Sequence, residues 1–135
     1  MKSIQWIPLV LLALVAMSCE VTVVEPVVYD ARDEFVGYLG VDEYSETFRK
    51  DSHYDIHITK AFGNHVYIHN FYGVDIRVIA EVRGGRLVIP YQEVGPFEIE
   101  GSAYRSGNHI DFSYSVFDHR LRPRVTDFCN SVAYW

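Results

Sequence analysis

Four histidines lying close together, His53, His57, His65 and His69, are the residues whose type and spacing come nearest to a chemical site. With Asp55 and Tyr67 they occupy the polar positions of two alternating segments, His53 to Lys60 and His65 to Asn70, joined by Ala61-Phe62-Gly63-Asn64. A hairpin there sets either His57 or Asp55 opposite His69, according to register. Opposed side chains in a sheet lie about 4.5–5.5 Å apart at Cβ, close enough for two imidazoles to share Zn²⁺, Cu²⁺ or Ni²⁺. His57, His69, His53 and His65 are thus the candidate metal ligands, and the same patch could sense pH, because imidazoles titrate between about pH 5 and 8. A solvated strand face carries more weight than either, since neither a paired cysteine nor the His-x-x-Glu-His spacing of a dedicated site is present.

Other chemistries find less support. No Gly-x-Ser-x-Gly elbow occurs, and Cys129 lacks the local signature of a thiol protease. The carboxylates Asp42, Glu43 and Glu46 cluster near a strand end and read as a solvated loop, not as an acid–base pair. No catalytic residue, ligand-binding residue or cofactor is assigned, and the expectation is a protein that is not an enzyme.

The other cysteine, Cys19, is more informative. Met1-Lys2 followed by an apolar run from Ile4 to Val15 and small residues has the layout of a cleaved export signal, and the run is too short for a spanning helix, which needs about 20 residues. The junction Ala16-Met17-Ser18-Cys19 resembles the lipobox of bacterial lipoproteins, with Ala16 where Leu, Val or Ile is usual. That resemblance implies cleavage before Cys19 and acylation of its thiol, palmitate included. Acyl chains contribute about 0.8 kcal/mol per buried methylene and would hold the chain at a membrane. The lesser alternative is an ordinary signal with Cys19 an incidental thiol. Loss of Lys2 with the signal leaves the mature chain one unit more negative than the −6 of the whole, which makes nucleic acid an unfavourable partner. If Cys19 is acylated, Cys129 has no intrachain partner and reads as a buried, inert thiol.

Three segments follow: a signal peptide over 1–18, a lipidated cysteine and extended tether over 19–33, and a single domain over 34–135. The tether is Val-rich and broken by Pro26, and it could instead add an edge strand. Beyond it, alternation of apolar and polar residues predicts about eight strands: Phe35 to Tyr44, His53 to Lys60, His65 to Asn70, Asp75 to Arg83, Arg86 to Ile89 closed by Pro90, Phe97 to Tyr104, His109 to Phe117, and one around Val125 to Tyr134. Gly84-Gly85 and Ser106-Gly107-Asn108 supply turns. A sheet with one apolar face buries it by closing on itself, so the fold expected is an all-β, antiparallel up-and-down meander forming a small lipocalin-like barrel, with a β-sandwich as the alternative. An integral outer-membrane barrel fits less well. Counting back in twos from Trp135 meets Ala133, Ser131, Cys129 and Asp127, not a lipid-facing apolar series.

Phe35-Val36-Gly37, Asn70-Phe71-Tyr72-Gly73, Ile89-Pro90 with Gln92, Gly101-Ser102, and Ser113-Tyr114-Ser115-Val116 with Asp118 together resemble a family of small Gram-negative lipoproteins with a lipocalin- or calycin-like barrel and no established activity. The likeness runs from about Phe35 to Cys129 and rests on turn glycines and strand faces, so it implies a fold and no chemistry. True lipocalins have a tryptophan two places after the first-strand glycine, where this chain has Leu39 after Gly37. The function expected is a non-enzymatic binding or interaction module tethered through Cys19, its ligand a protein, a glycan or a small apolar molecule. Alternatives are an inhibitor of a cationic enzyme such as lysozyme, towards which an acidic surface would steer, and a structural envelope component. Glu20, in place of an aspartate after the cysteine, points to the outer membrane.

Overall fold

Side chains that alternate across a strand give one inward and one outward row per segment, and in the computed structural model, which describes residues 19–135, those inward rows meet. The expected signal peptide over 1–18 lies outside the described residues. Eight antiparallel strands, β1 Gly37–Ser45, β2 Lys50–Lys60, β3 His65–Phe71, β4 Ile76–Arg83, β5 Arg86–Val94, β6 Phe97–Ser106, β7 His109–Asp118 and β8 Thr126–Tyr134, run in chain order around a closed barrel. β1 closes on β8 through partners from Gly40 with Tyr134 to Ser45 with Cys129. The closed ring presents no free edge, so the tether adds no strand to it. Gly84 and Gly85, both at positive φ, make the two-residue β4–β5 turn, the conformation that only glycine adopts without strain.

The interior is packed with Leu39, Val41, Ile56, Ile58, Val66 and Ile68 from the first three strands and with their counterparts from the others. Between Val41, Tyr54, Phe112 and Tyr114 a void of only about 10 Å³ remains. Gly101 sits on an inward row of β6 because Tyr114, its partner on β7, lies across it: a Cβ there would stand 2.4 Å from that of Tyr114.

Two details depart from the sequence expectation. Pro90 does not end β5, which continues to Val94 through a bulge between Ile89 and Gln92. The backbone ladder between β4 and β5 spans only Glu81 to Arg83 against Arg86 to Val88. Beyond it the Gln92 amide takes over, accepting from the Ile79 N–H at 3.0 Å and donating to the Ile79 carbonyl at 2.9 Å. A side chain thus supplies the pair of bonds that a strand residue would have made. The second departure concerns the tether, whose last residues dock on the barrel. Ala31–Glu34 form a 3-10 turn, Lys60 pairs with Asp30 at 3.0 Å and with Asp33 at 2.6 Å, and Arg32 donates to the Ala61 carbonyl. Phe35 then plugs this end of the barrel, fully buried, and the Trp135 indole donates to the Val36 carbonyl at 3.1 Å. From Cys19 to Tyr29 the chain is exposed and forms neither helix nor strand.

Candidate functional site

The histidines were the sequence's strongest candidate, and the barrel separates them. Register places His57 directly opposite His69, ring centroids 5.7 Å apart, so one of the two pairings expected for the hairpin is the one formed. His57 stacks flat on Tyr38 at 3.9 Å, and a His69 ring nitrogen lies 2.8 Å from the Thr59 hydroxyl. Burial first, then His57 and Arg77, holds the His69 imidazole below its ordinary value. His53 lies four residues back on the same outer face of β2 and meets Asp42 at 2.6 Å, while His65 packs on Phe62 near the β2–β3 turn. The four-histidine cluster therefore resolves into one adjacent pair and two separate residues. Among the described residues no three His, Cys, Asp or Glu side chains converge as a metal centre needs.

A different polar group lies inside the barrel mouth, at the end opposite Phe35. The inward row of β1 runs Leu39, Val41, Glu43, Ser45, and that of β8 runs Asp127, Cys129, Ser131, Ala133. Alternation that begins apolar thus carries two carboxylates into the interior, which corrects the reading of Glu43 as part of a solvated loop. Glu43 accepts from the Tyr54 hydroxyl at 2.8 Å, and Tyr54 reaches the Tyr114 hydroxyl at 3.2 Å. Asp127 accepts from both Ser45 and Tyr72. Tyr72 enters from the β3–β4 turn with its backbone at φ 61°, a left-handed conformation costly for a bulky residue, and packs edge-on against Phe97 and Tyr114.

Burial decides which members of this network change protonation. Burial, followed by the Asp127 charge, pushes the Glu43 carboxyl up to about 7 against the opposing Tyr54 hydrogen bond. Burial raises the Tyr54 and Tyr72 phenols, so both remain donors. The Cys129 thiol, buried as expected from the sequence and facing the same carboxylates, is also raised and stays a thiol. Each carboxyl is occupied by hydroxyl donors, and the mouth is roofed by Tyr72. Its chemistry is that of a structural polar network.

No family model, curated protein or solved structure matches this chain. The outer wall is where open concave surface is found. A trench of about 460 Å³ crosses β1, β8, β7 and β6, with Val132, Asn130, Ser113 and Ser102 as its floor. Tyr44 and Tyr104 stand at its sides, 42 % and 54 % exposed. It continues into a second hollow of about 300 Å³ beside Phe128 and Glu100. Sequence reasoning passed over these residues because each is an ordinary outward position on its own strand. The available signal was confined to β6 and β7, whose outward rows set Ser102 beside Tyr104 and Asp111 beside Ser113.

Proposed function

We propose that this protein is a lipid-anchored component of the bacterial envelope whose barrel is a non-enzymatic interaction module, recognising its partner with the outer wall and not with the interior. The observation that carries this reading is the filled core. A void of about 10 Å³ has room for about one water molecule, whereas small-molecule sites occupy roughly 300–1,000 Å³. Cys19 is exposed, which suits acylation, and the docked turn at Ala31–Glu34 leaves residues 19–29 to span the distance from lipid to barrel. The outer membrane is the proposed location, with the resemblance to Gram-negative lipoproteins and Glu20 behind it. Inhibition of a basic enzyme such as lysozyme is the second reading, favoured by the carboxylates along the trench.

The test is metabolic labelling. The full chain is expressed in a Gram-negative host supplied with an alkyne-bearing palmitate analogue, beside a Cys19→Ala variant. Label on the wild-type chain in the outer-membrane fraction, lost in the variant, is expected. An unlabelled wild-type chain, or equal label on both, overturns the anchor.

A further inference from the structure

We propose that the β3–β4 turn, from Tyr72 to Asp75, is a lid held over the barrel mouth by the Tyr72–Asp127 hydrogen bond, and that loss of the Glu43 proton releases it. The device keeps the mouth closed in acid and opens it towards neutrality.

The turn is strained. Of the six residues from Asn70 to Asp75, four have positive φ, and Gly73 alone among those four is a glycine. Asn70 at 60° and Asp75 at 57° tolerate the left-handed region, but the bulky Tyr72 at 61° persists there only because its surroundings hold it. Two sets of contacts do so. On the outside, the Asn70 side-chain amide donates to the Asp55 carbonyl at 2.7 Å and accepts from the Asp75 N–H at 2.9 Å, which fixes the ends of the turn. On the inside, the Tyr72 hydroxyl donates to Asp127 and its ring packs edge-on against Tyr114 and Phe97. Gly73, Val74 and Asp75, beside this hold, are exposed. The stretch is therefore hinged at Asn70 and Asp75 and latched at one inward hydroxyl, an arrangement in which a segment opens without the barrel unfolding.

The lid also rests on the partner of the other carboxyl. Gly73 lies so close to the Tyr54 ring that a Cβ would stand 3.0 Å from it, and Tyr54 donates to Glu43. The titratable groups around Glu43 are Tyr54 from β2, Tyr114 behind it on β7, Asp127 and Cys129 from β8, and Tyr72 from the turn. Among the described residues no lysine, arginine or histidine pairs with Glu43 or Asp127. A second negative charge in this space has no counterion, so hydration is what stabilises it. Lifting Tyr72 admits that water. With the lid closed, burial holds the Glu43 carboxyl at about 7, and hydration returns it towards 4.5. The closed state thus binds the proton more tightly. Opening therefore grows as pH rises from 4.5 through 7 and is level above, by at most about 300-fold. What the lid uncovers is the polar end of the interior: Glu43, Ser45, Asp127 and Cys129.

Cys129 is the reporter, because it is 2 % exposed on the inward row next to Asp127. The full chain carrying Cys19→Ala, in which Cys129 is the sole thiol, is held in micelles of an uncharged detergent and treated with dithiodipyridine. Rates are read from about pH 5 to about pH 8, each divided by the rate of the same chain unfolded in urea, which removes the titration of the thiol itself. The normalised rate should rise about tenfold or more across this range, and should stay within about twofold in Glu43→Gln. Tyr72→Phe keeps the ring and loses the latch, and should react about tenfold faster already at the acid end. Up to about 1 M urea should leave these rates nearly unchanged, since lifting a turn exposes little surface. A flat profile, or an equal rise in Glu43→Gln, overturns control by Glu43. Reaction of Tyr72→Phe at the unaltered rate overturns the latch. Rates that climb steeply with urea would mean that Cys129 is reached by global unfolding, and the lid would be overturned.

Discussion

Glu43 is 6 % exposed inside the barrel, and its carboxyl is pushed up to about 7 by burial. The folded state therefore holds this proton more tightly than the unfolded chain, whose glutamate titrates near 4.5. Through this residue, stability is fully present below pH 4.5, falls as pH rises from there through 7, and is level above. The swing is on the order of 3 kcal/mol. Glu43→Gln keeps an acceptor for the Tyr54 hydroxyl and removes the titration. Urea unfolding across this pH range should show the variant more stable than wild type above neutrality by about 2 kcal/mol, with the advantage fading towards acid. An undiminished pH slope in the variant would assign the dependence to another group. In the sequence, Glu43 and Asp127 were legible as positions but not as buried acids. Glu43 read as part of a solvated loop and the last strand was given no inward phase, because a carboxylate on an inward row is tolerable only where hydroxyls from other strands reach it. Tyr54, Tyr72 and Ser45 become its neighbours only when the barrel closes.

Strand lengths and turns were the most legible elements, because the pleat imposes its period of two locally and Gly84-Gly85 marks its turn without help from the rest of the chain. The β4–β5 seam was not. Pro90 removes a ladder donor, so it reads as a strand end. The continuation depends on Gln92 reaching across to Ile79, a contact set by the bulge and not by any local pattern. Gln92→Ala leaves the Ile79 N–H and carbonyl on this seam without those partners and should cost about 1–3 kcal/mol in chemical denaturation. Gln92→Glu retains an acceptor for the N–H but no donor for the carbonyl, and should fall between the two. Equal stability of all three proteins would show that solvent satisfies Ile79 and that the amide contributes nothing to the seam.

At the scale of the whole molecule, the barrel has the ring closure of a ligand carrier but the packing of a solid core. A fluorescent long-chain fatty acid titrated into the folded protein should show no saturable enhancement, and a thermal melt should show no rise in midpoint with it. A stoichiometric shift would mean that the core opens to admit the chain. The sequence by itself determined an all-β domain of eight one-sided strands, the inward identity of Ile56, Ile58, Phe112 and Tyr114, and an acidic surface. Alternation, turn chemistry and charge are properties of neighbouring residues, so they survive without a fold. The tertiary structure alone decided that β1 meets β8, that His57 opposes His69 while His53 and His65 stand apart, and that Asp42 and Asp111 border one trench. Those relations join residues far apart in the chain, and they exist only once the register of the ring has been chosen by the packing of its interior.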